Sequence, residues 1–235
     1  MRATASTRLL TALPALIALA GALLLAGWLG SSRRARPLAE RVPEPPPARR
    51  AGDLPAVDLS GTFARSDGVP ADLPGSWPWF RGAGLDGIAE GVSLARSWGP
   101  QGPRQVWSAE MGEGHAGAAV RDGRVYVLDY DQAGQQDAIR CLSLADGREI
   151  WRRSYRVRIK RNHGMSRTVP AVSEKYLVTF GPKCHVVCCE PKSGKYLWGM
   201  DLVRQFRTKV PPWYGGQCPL LDGDRVILAP GGDAL

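Results

Sequence analysis

The chain has 235 residues, 44% of them hydrophobic and 23% charged, with a formal charge of +9. That composition excludes a disordered or fibrous class and is ample for one sizeable core. The charge is uneven: eight arginines oppose two glutamates in residues 1–50, while the remainder holds 23 basic and 20 acidic residues, so the high pI belongs to a basic tail and a nucleic-acid partner is set aside.

Residues 1–8 form a short leader, expected on the cytoplasmic side. An uncharged apolar run of 21 residues follows at 9–29, long enough for a hydrocarbon core of about 30 Å. The apolar region of a signal peptide is usually shorter, about 7–15 residues, and ends at a small-residue cleavage site. Here the run ends at Trp28 and then Ser31-Ser-Arg-Arg-Ala-Arg36, without an Ala-x-Ala site. An uncleaved transmembrane anchor is expected in preference to a cleaved signal, with the body in the periplasm or otherwise outside the cytoplasm. Residues 30–75 read as a Pro/Arg-rich disordered linker: eight prolines fall between residues 37 and 75 with little hydrophobic periodicity. Such a stretch buries too little apolar surface to offset its ordering entropy.

From Ser76 onward the chain repeats itself. Cys141-Leu-Ser-Leu-Ala-Asp-Gly-Arg-Glu-Ile-Trp151 returns 47 residues later as Cys188-Cys-Glu-Pro-Lys-Ser-Gly-Lys-Tyr-Leu-Trp198. A second module, Ala118-Ala-Val-Arg-Asp-Gly-Arg-Val-Tyr-Val-Leu128, aligns with residues 170–180 and again with 219–229. Asp122-Gly123 and Asp222-Gly223 suit two-residue hairpins, and Gly147 and Gly194 mark a second turn in each repeat. Two hairpins per repeat make four antiparallel strands, and a period in the forties makes each repeat a propeller blade. Trp107 lies 44 residues before Trp151, so it is expected on the last strand of an earlier blade. The fold class expected is all-β: a propeller of four-stranded blades over residues 76–235, holding about two to three blades and therefore incomplete, behind one N-terminal membrane helix.

These repeats resemble the PQQ-like β-propeller repeat proteins, whose repeats end in Asp-x-x-Thr-Gly-Lys-x-x-Trp. The matching segments are residues 143–151 and 190–198, and Trp77-Pro-Trp-Phe-Arg-Gly82 followed by Asp86-Gly87 is similar to the family's opening strand. The resemblance implies that Trp107, Trp151 and Trp198 dock between neighbouring blades, with Gly147 and Gly194 at the turns. The family spans quinone dehydrogenases, the outer-membrane assembly factor BamB and other propellers, so it implies a fold more firmly than a function. Similarity to BamB implies protein–protein contact.

Several residues carry candidate chemistry. Quinone-dependent alcohol dehydrogenases of this family have a disulfide between adjacent cysteines, which points to Cys188 and Cys189. Neighbours on a strand face opposite ways, however, and ordinary core cysteines explain the pair; Cys184 with Cys188 or with Cys218 are other pairings. His115, His163 and His185 show no metal-ligand spacing, although His115, in Gly112-Glu-Gly-His-Ala-Gly117, is a candidate for lining a central channel. Trp213 and Tyr214 read as packing aromatics. The most distinctive charge feature runs without an acid between Glu149 and Glu174. Its centre, Arg156-Val-Arg-Ile-Lys160 followed by Arg161, alternates so that one face of an extended strand is basic. Arg156, Arg158, Lys160 and Arg161 are the candidate face for an anionic partner, against the plainer reading of a solvated loop. With Asn162 the only asparagine, a calcium-plus-quinone site is hard to build. The function expected is a non-catalytic, membrane-anchored scaffold of the cell envelope, with an envelope protein or a second copy as partner and no cofactor. The alternative is a fragment of a PQQ-dependent dehydrogenase, with quinone and calcium as cofactors.

Overall fold

The computed structural model describes residues 5–32, 56–161, 165–229 and 231. The chain divides into two units, Met1–Val42 and Pro43–Leu235. In the first, α1 (Ala5–Ser32) is a single helix with Pro14 inside it. Its stretch Ala12–Ser31 has a mean hydropathy of 2.1. At 1.5 Å rise per residue, 20 residues span about 30 Å, so the helix is long and apolar enough to cross a membrane.

The second unit is built of antiparallel sheets. β1 (Thr62–Arg65), β2 (Ala119–Arg121), β3 (Arg124–Asp131), β4 (Gln136–Ser143) and β5 (Glu149–Arg156) form one sheet in the order β1-β5-β4-β3-β2. β6 (Ala171–Val172), β7 (Leu177–Phe180), β8 (His185–Cys189) and β9 (Tyr196–Asp201) form a second in chain order, and β9 runs into the short helix α2 (Leu202–Phe206). β10 (Leu220–Asp222) and β11 (Arg225–Ile227) form a hairpin. The sheets are thus two four-stranded blades and the first hairpin of a third, as the repeat implies.

Local chemistry sets these turns. Asp122 and Gly123 both have positive φ, 49° and 68°, the conformation that lets a two-residue turn match the twist of its strands. Each blade carries a bulge at the equivalent place, between Cys141 and Leu142 in one and between Cys188 and Cys189 in the other. The cysteine and the tryptophan of each repeat are cross-strand partners, Cys141 with Trp151 and Cys188 with Trp198.

Burial follows from stacking the blades face to face. Tyr126, Ile139, Trp151 and Tyr155 of blade 1 share one cluster with Val172, Leu177, Val187 and Cys189 of blade 2. The far face of blade 2, with Val178, Phe180, Val186 and Cys188, packs against Leu221, Val226 and Leu228 of the third hairpin. Strands buried on both faces read as continuous apolar runs, as at Leu177–Phe180 and His185–Cys189.

Two expectations need correcting. The linker was expected to stay without order until Ser76, yet β1 pairs with β5, Thr62 opposite Ser154 through Arg65 opposite Trp151. Leu59 is buried, and Ala71 N–H donates to Gly123 O at 3.0 Å. The sheet edge supplies what the proline-rich sequence lacks: a row of unpaired backbone groups that recruits an extended segment. The remainder of that linker, residues 33–55, lies outside the described residues. Trp107, expected on a closing strand, lies instead in an irregular segment, although its ring docks as expected.

Candidate functional site

The inter-blade docking is structural, and it repeats atom for atom. Trp107 Nε1 donates to Leu144 O at 2.9 Å, and Trp151 Nε1 donates to Pro191 O at 3.2 Å. Each acceptor lies three residues before the turn glycine, Gly147 or Gly194. Both glycines have positive φ, 72° and 71°, and a Cβ there would meet the docking indole at 2.5 Å or 2.8 Å. Glycine is required twice over, for the left-handed backbone and for the ring above it. Trp198 is half-buried against the far-face cluster of blade 2.

The basic run forms a ribbon that continues beyond the end of β5. Val157 and Ile159 point inward, 7% and 6% exposed, while Arg156, Arg158, Lys160 and Arg161 are exposed. The ribbon is held rigidly from below. Tyr130 Oη donates to Val157 O at 2.8 Å and accepts from Ile159 N–H at 3.1 Å. Val157 N–H donates to Gln135 O at 3.0 Å, and Tyr214 Oη donates to Lys160 O. Arg161 pairs with Glu113, Nε to Oε2 at 2.7 Å. Arg156, Arg158 and Lys160 make no ion pair with a described residue. Beside Arg156 opens a cavity of about 280 Å³ lined by Asp58, Gly61, Thr62, Gln136, Ser154 and Tyr155. Hydrogen bonds from Ser60 and Gly61 hold the Asp58 carboxyl below the usual carboxylate range.

A larger cavity, about 420 Å³, is lined by Glu110, Glu113, Asp129, Asp131, Arg140 and Arg152, among others. Its central cation is already paired: Arg140 contacts Glu149 at 2.7 Å and Asp129 at 3.1 Å. Acidic residues outnumber basic ones in that lining, so this cavity offers little to an anion.

His115 is exposed, and its backbone N–H donates to Ser166 O at 2.6 Å where the lead-in segments of the two blades run side by side. His163 lies outside the described residues. Cys188 and Cys189 face opposite clusters, and all five cysteines are free thiols. Burial pushes the Cys188 thiol up to about 12 and Cys189 up to about 11, the direction of an inert core thiol. Tyr214 lies beneath the ammonium of Lys183, 5.4 Å from the ring centre, in keeping with a packing role. Among the described residues no three of His, Cys, Asp and Glu converge as a metal-ligand set; Asn162 lies outside them.

One polar cluster was missed by the sequence reading. Asp137 of blade 1 is almost wholly buried, and its Oδ2 accepts from Tyr155 Oη at 2.7 Å. The Tyr155 ring meets the His185 ring of blade 2 edge-on at 5.5 Å. Backbone from blade 2 presses on the carboxyl: a Cβ at Gly181 would come within 2.6 Å of Asp137 Oδ2. Asp137 Oδ1 and His185 Nδ1 are buried and bond to no described residue. Burial pushes Asp137 up to about 7 against the opposing Tyr155 hydrogen bond, and burial lowers His185 against the pull of Asp201. The signal was present in the sequence: Asp137 shares the face of Ile139 and Cys141, and His185 shares that of Val187 and Cys189.

Four-stranded antiparallel blades stacked on shared cores define a propeller-type repeat protein. Residues 135–235 match the family model described as outer membrane protein assembly factor BamB, and the chain is a PQQ-like repeat protein there. Among solved structures it is similar to quinohemoprotein alcohol dehydrogenase from Comamonas testosteroni, at 19% identity and a TM-score of 0.28, covering 37% of this chain and 13% of that one. Quinohemoprotein alcohol dehydrogenase ADHIIG from Pseudomonas putida HK5 gives 22% and 0.27 over the same shares. BamB from Moraxella catarrhalis gives 16% and 0.18, covering 41% of this chain and 40% of that one. The chain thus spans well under half the length of each. No curated protein matches.

Proposed function

We propose that the chain is a non-catalytic binding module of the cell envelope, held at a membrane by α1, with its blades outside the cytoplasm. The ribbon carries this reading: three cations that pair with no described residue stand in a row on a backbone fixed by Tyr130, Tyr214 and buried Val157 and Ile159. A fixed row of like charge is costly for the fold, because like charges repel, and an anionic partner relieves that cost. The match to an assembly factor over residues 135–235 favours a protein as that partner. The reading requires neither quinone nor metal; both belong to the alternative, a portion of a quinone-dependent dehydrogenase. The test is native mass spectrometry of the full chain in detergent with PQQ and calcium, beside dye-coupled alcohol oxidation. No mass shift and no turnover are expected; quinone-dependent dye reduction overturns the reading.

A further inference from the structure

β1 covers only part of β5. It pairs from Trp151 to Ser154, and Thr62 Oγ1 donates to Ser154 O, which places the carbonyl of Ser154 on the β1 side. Backbone polar groups alternate sides along an extended strand. Those of Arg156 and Arg158 therefore point the same way as Ser154's, beyond the point where β1 ends. The intervening residues fit this alternation, since the backbone groups of Val157 and Ile159 are taken by Gln135 and Tyr130 on the opposite side. The N–H and C=O of Arg158 bond to no described residue. A strand edge and a row of cations, neither partnered by a described residue, thus coincide at one place, with the cavity of Thr62, Gln136 and Ser154 at its foot.

We propose that the open edge from Arg156, the last residue of β5, through Arg158 is a strand-addition site for an extended acidic segment of a partner protein, with carboxylates at alternate positions and Lys160 adding charge beyond the edge. The inference rests on the binding-module reading and names its partner. Alternate residues of a strand stand about 6.6–6.8 Å apart, so a Glu-x-Glu-x-Glu segment matches the pitch of Arg156, Arg158 and Lys160, and cross-strand neighbours of opposite charge attract. Main-chain bonds supply affinity in strand addition, and the alternate side chains supply specificity. A lipid surface presents a plane of charge and no backbone, and would leave the Arg158 edge unused. A second copy is not the donor, because this chain nowhere carries acids at three successive alternate positions.

The full chain, held in neutral-lipid nanodiscs, is titrated into a fluorescent ten-residue peptide alternating glutamate and valine. Anisotropy is compared with a block isomer of five glutamates then five valines, and with the alternating peptide methylated on every backbone nitrogen. The expected result is binding of the alternating peptide, weakened at least about tenfold by the block order, by methylation, and by the double change Arg158→Glu with Lys160→Glu. Methylation alters only the ligand, so it decides the matter even if the double variant unfolds. Equal binding of the methylated peptide overturns strand addition in favour of charge alone. No peptide binding, with Arg158-dependent flotation on phosphatidylglycerol vesicles, overturns it in favour of lipid. Either outcome leaves the binding-module reading standing, which falls separately on quinone-dependent turnover.

Discussion

Blades 1 and 2 come from the same repeat, with the same pairing order and a bulge at the same place, yet their last strands differ. β5 is buried at Ile150, Trp151, Arg153, Ser154 and Tyr155, whereas β9 is half-exposed throughout, with Leu197 40% and Met200 37% exposed. Their closing hairpins are alike, each turning at a positive-φ glycine, Gly147 or Gly194. Their neighbours differ, since β5 has β1 on its edge and blade 2 on its face. The repeat therefore encodes the blade, and burial is conferred by what stacks on it.

Replacing the two tryptophans gives the largest contrast. Trp151 is 1% exposed, meets Tyr126 and Phe63, and donates to Pro191 O. Trp151→Ala should cost roughly 3–5 kcal/mol, the range for a fully buried aromatic. Trp198→Ala, at a half-buried ring, should cost about half of that or less. Urea denaturation of both variants checks this, and equal losses would mean that the blades are equally enclosed.

The turn glycines separate ring contact from backbone strain. At Gly194 a methyl would meet Phe63 at 2.7 Å and Trp151 at 2.8 Å on a positive-φ backbone, whereas Gly223, φ 60°, has open space around its Cβ position. Gly223→Ala should cost about 1 kcal/mol, the strain of a left-handed alanine. Gly194→Ala should cost about 2–3 kcal/mol, because overpacking adds to that strain. If the two melt alike, the indole does not constrain the turn.

The interface between the blades should show its polar cluster as a slope of stability against pH. Asp137 has a folded pKa raised by burial to about 7, above its unfolded value near 4, so its contribution is fully present below about pH 4 and is lost as pH rises through 7. The groups facing it are Tyr155 and Asp129 within blade 1 and, through Tyr155, His185 and Asp201 of blade 2. His185 acts oppositely: its lowered pKa makes its contribution present above about 6.5 and lost on acidification. Asp137→Asn keeps an acceptor for Tyr155 and removes the charge, so thermal melts between pH 5 and 8 should lose the fall that the parent shows as pH rises from 5 to about 7. An unchanged slope would assign the titration elsewhere.

Most of the fold was legible because the docking tryptophan, the turn glycine and the paired cysteine recur at fixed spacing, and each is a local requirement of the blade. The alternation of Arg156, Val157, Arg158, Ile159 and Lys160 was equally plain, since period 2 assigns faces directly. β1 was not, because Thr62-Phe-Ala-Arg65 is exposed throughout and carries no pattern of its own; its order comes from the β5 edge. The Asp137 cluster was hidden for a related reason. Three strands each contribute one polar residue to an apolar face, and only stacking brings the three together.

The smallest effects lie where each blade's last strand leaves its sheet. β5 exits into the ribbon under the Tyr130 hydroxyl, and β9 exits into α2, where Asp201 caps the helix by accepting from Arg204 N–H at 3.1 Å. Tyr130→Phe removes two hydrogen bonds and keeps the ring. Asp201→Ala removes one cap. Each should cost about 1 kcal/mol in global stability. They should differ in where the loosening appears. Tyr130→Phe leaves Val157 O and Ile159 N–H unpaired beside the cationic row, so trypsin should cut at Arg158 and Lys160 several-fold faster in that variant, while Asp201→Ala leaves those sites as slow as in the parent. Equal cutting in the two would mean that packing of Val157 and Ile159 alone fixes the ribbon, without help from the tyrosine.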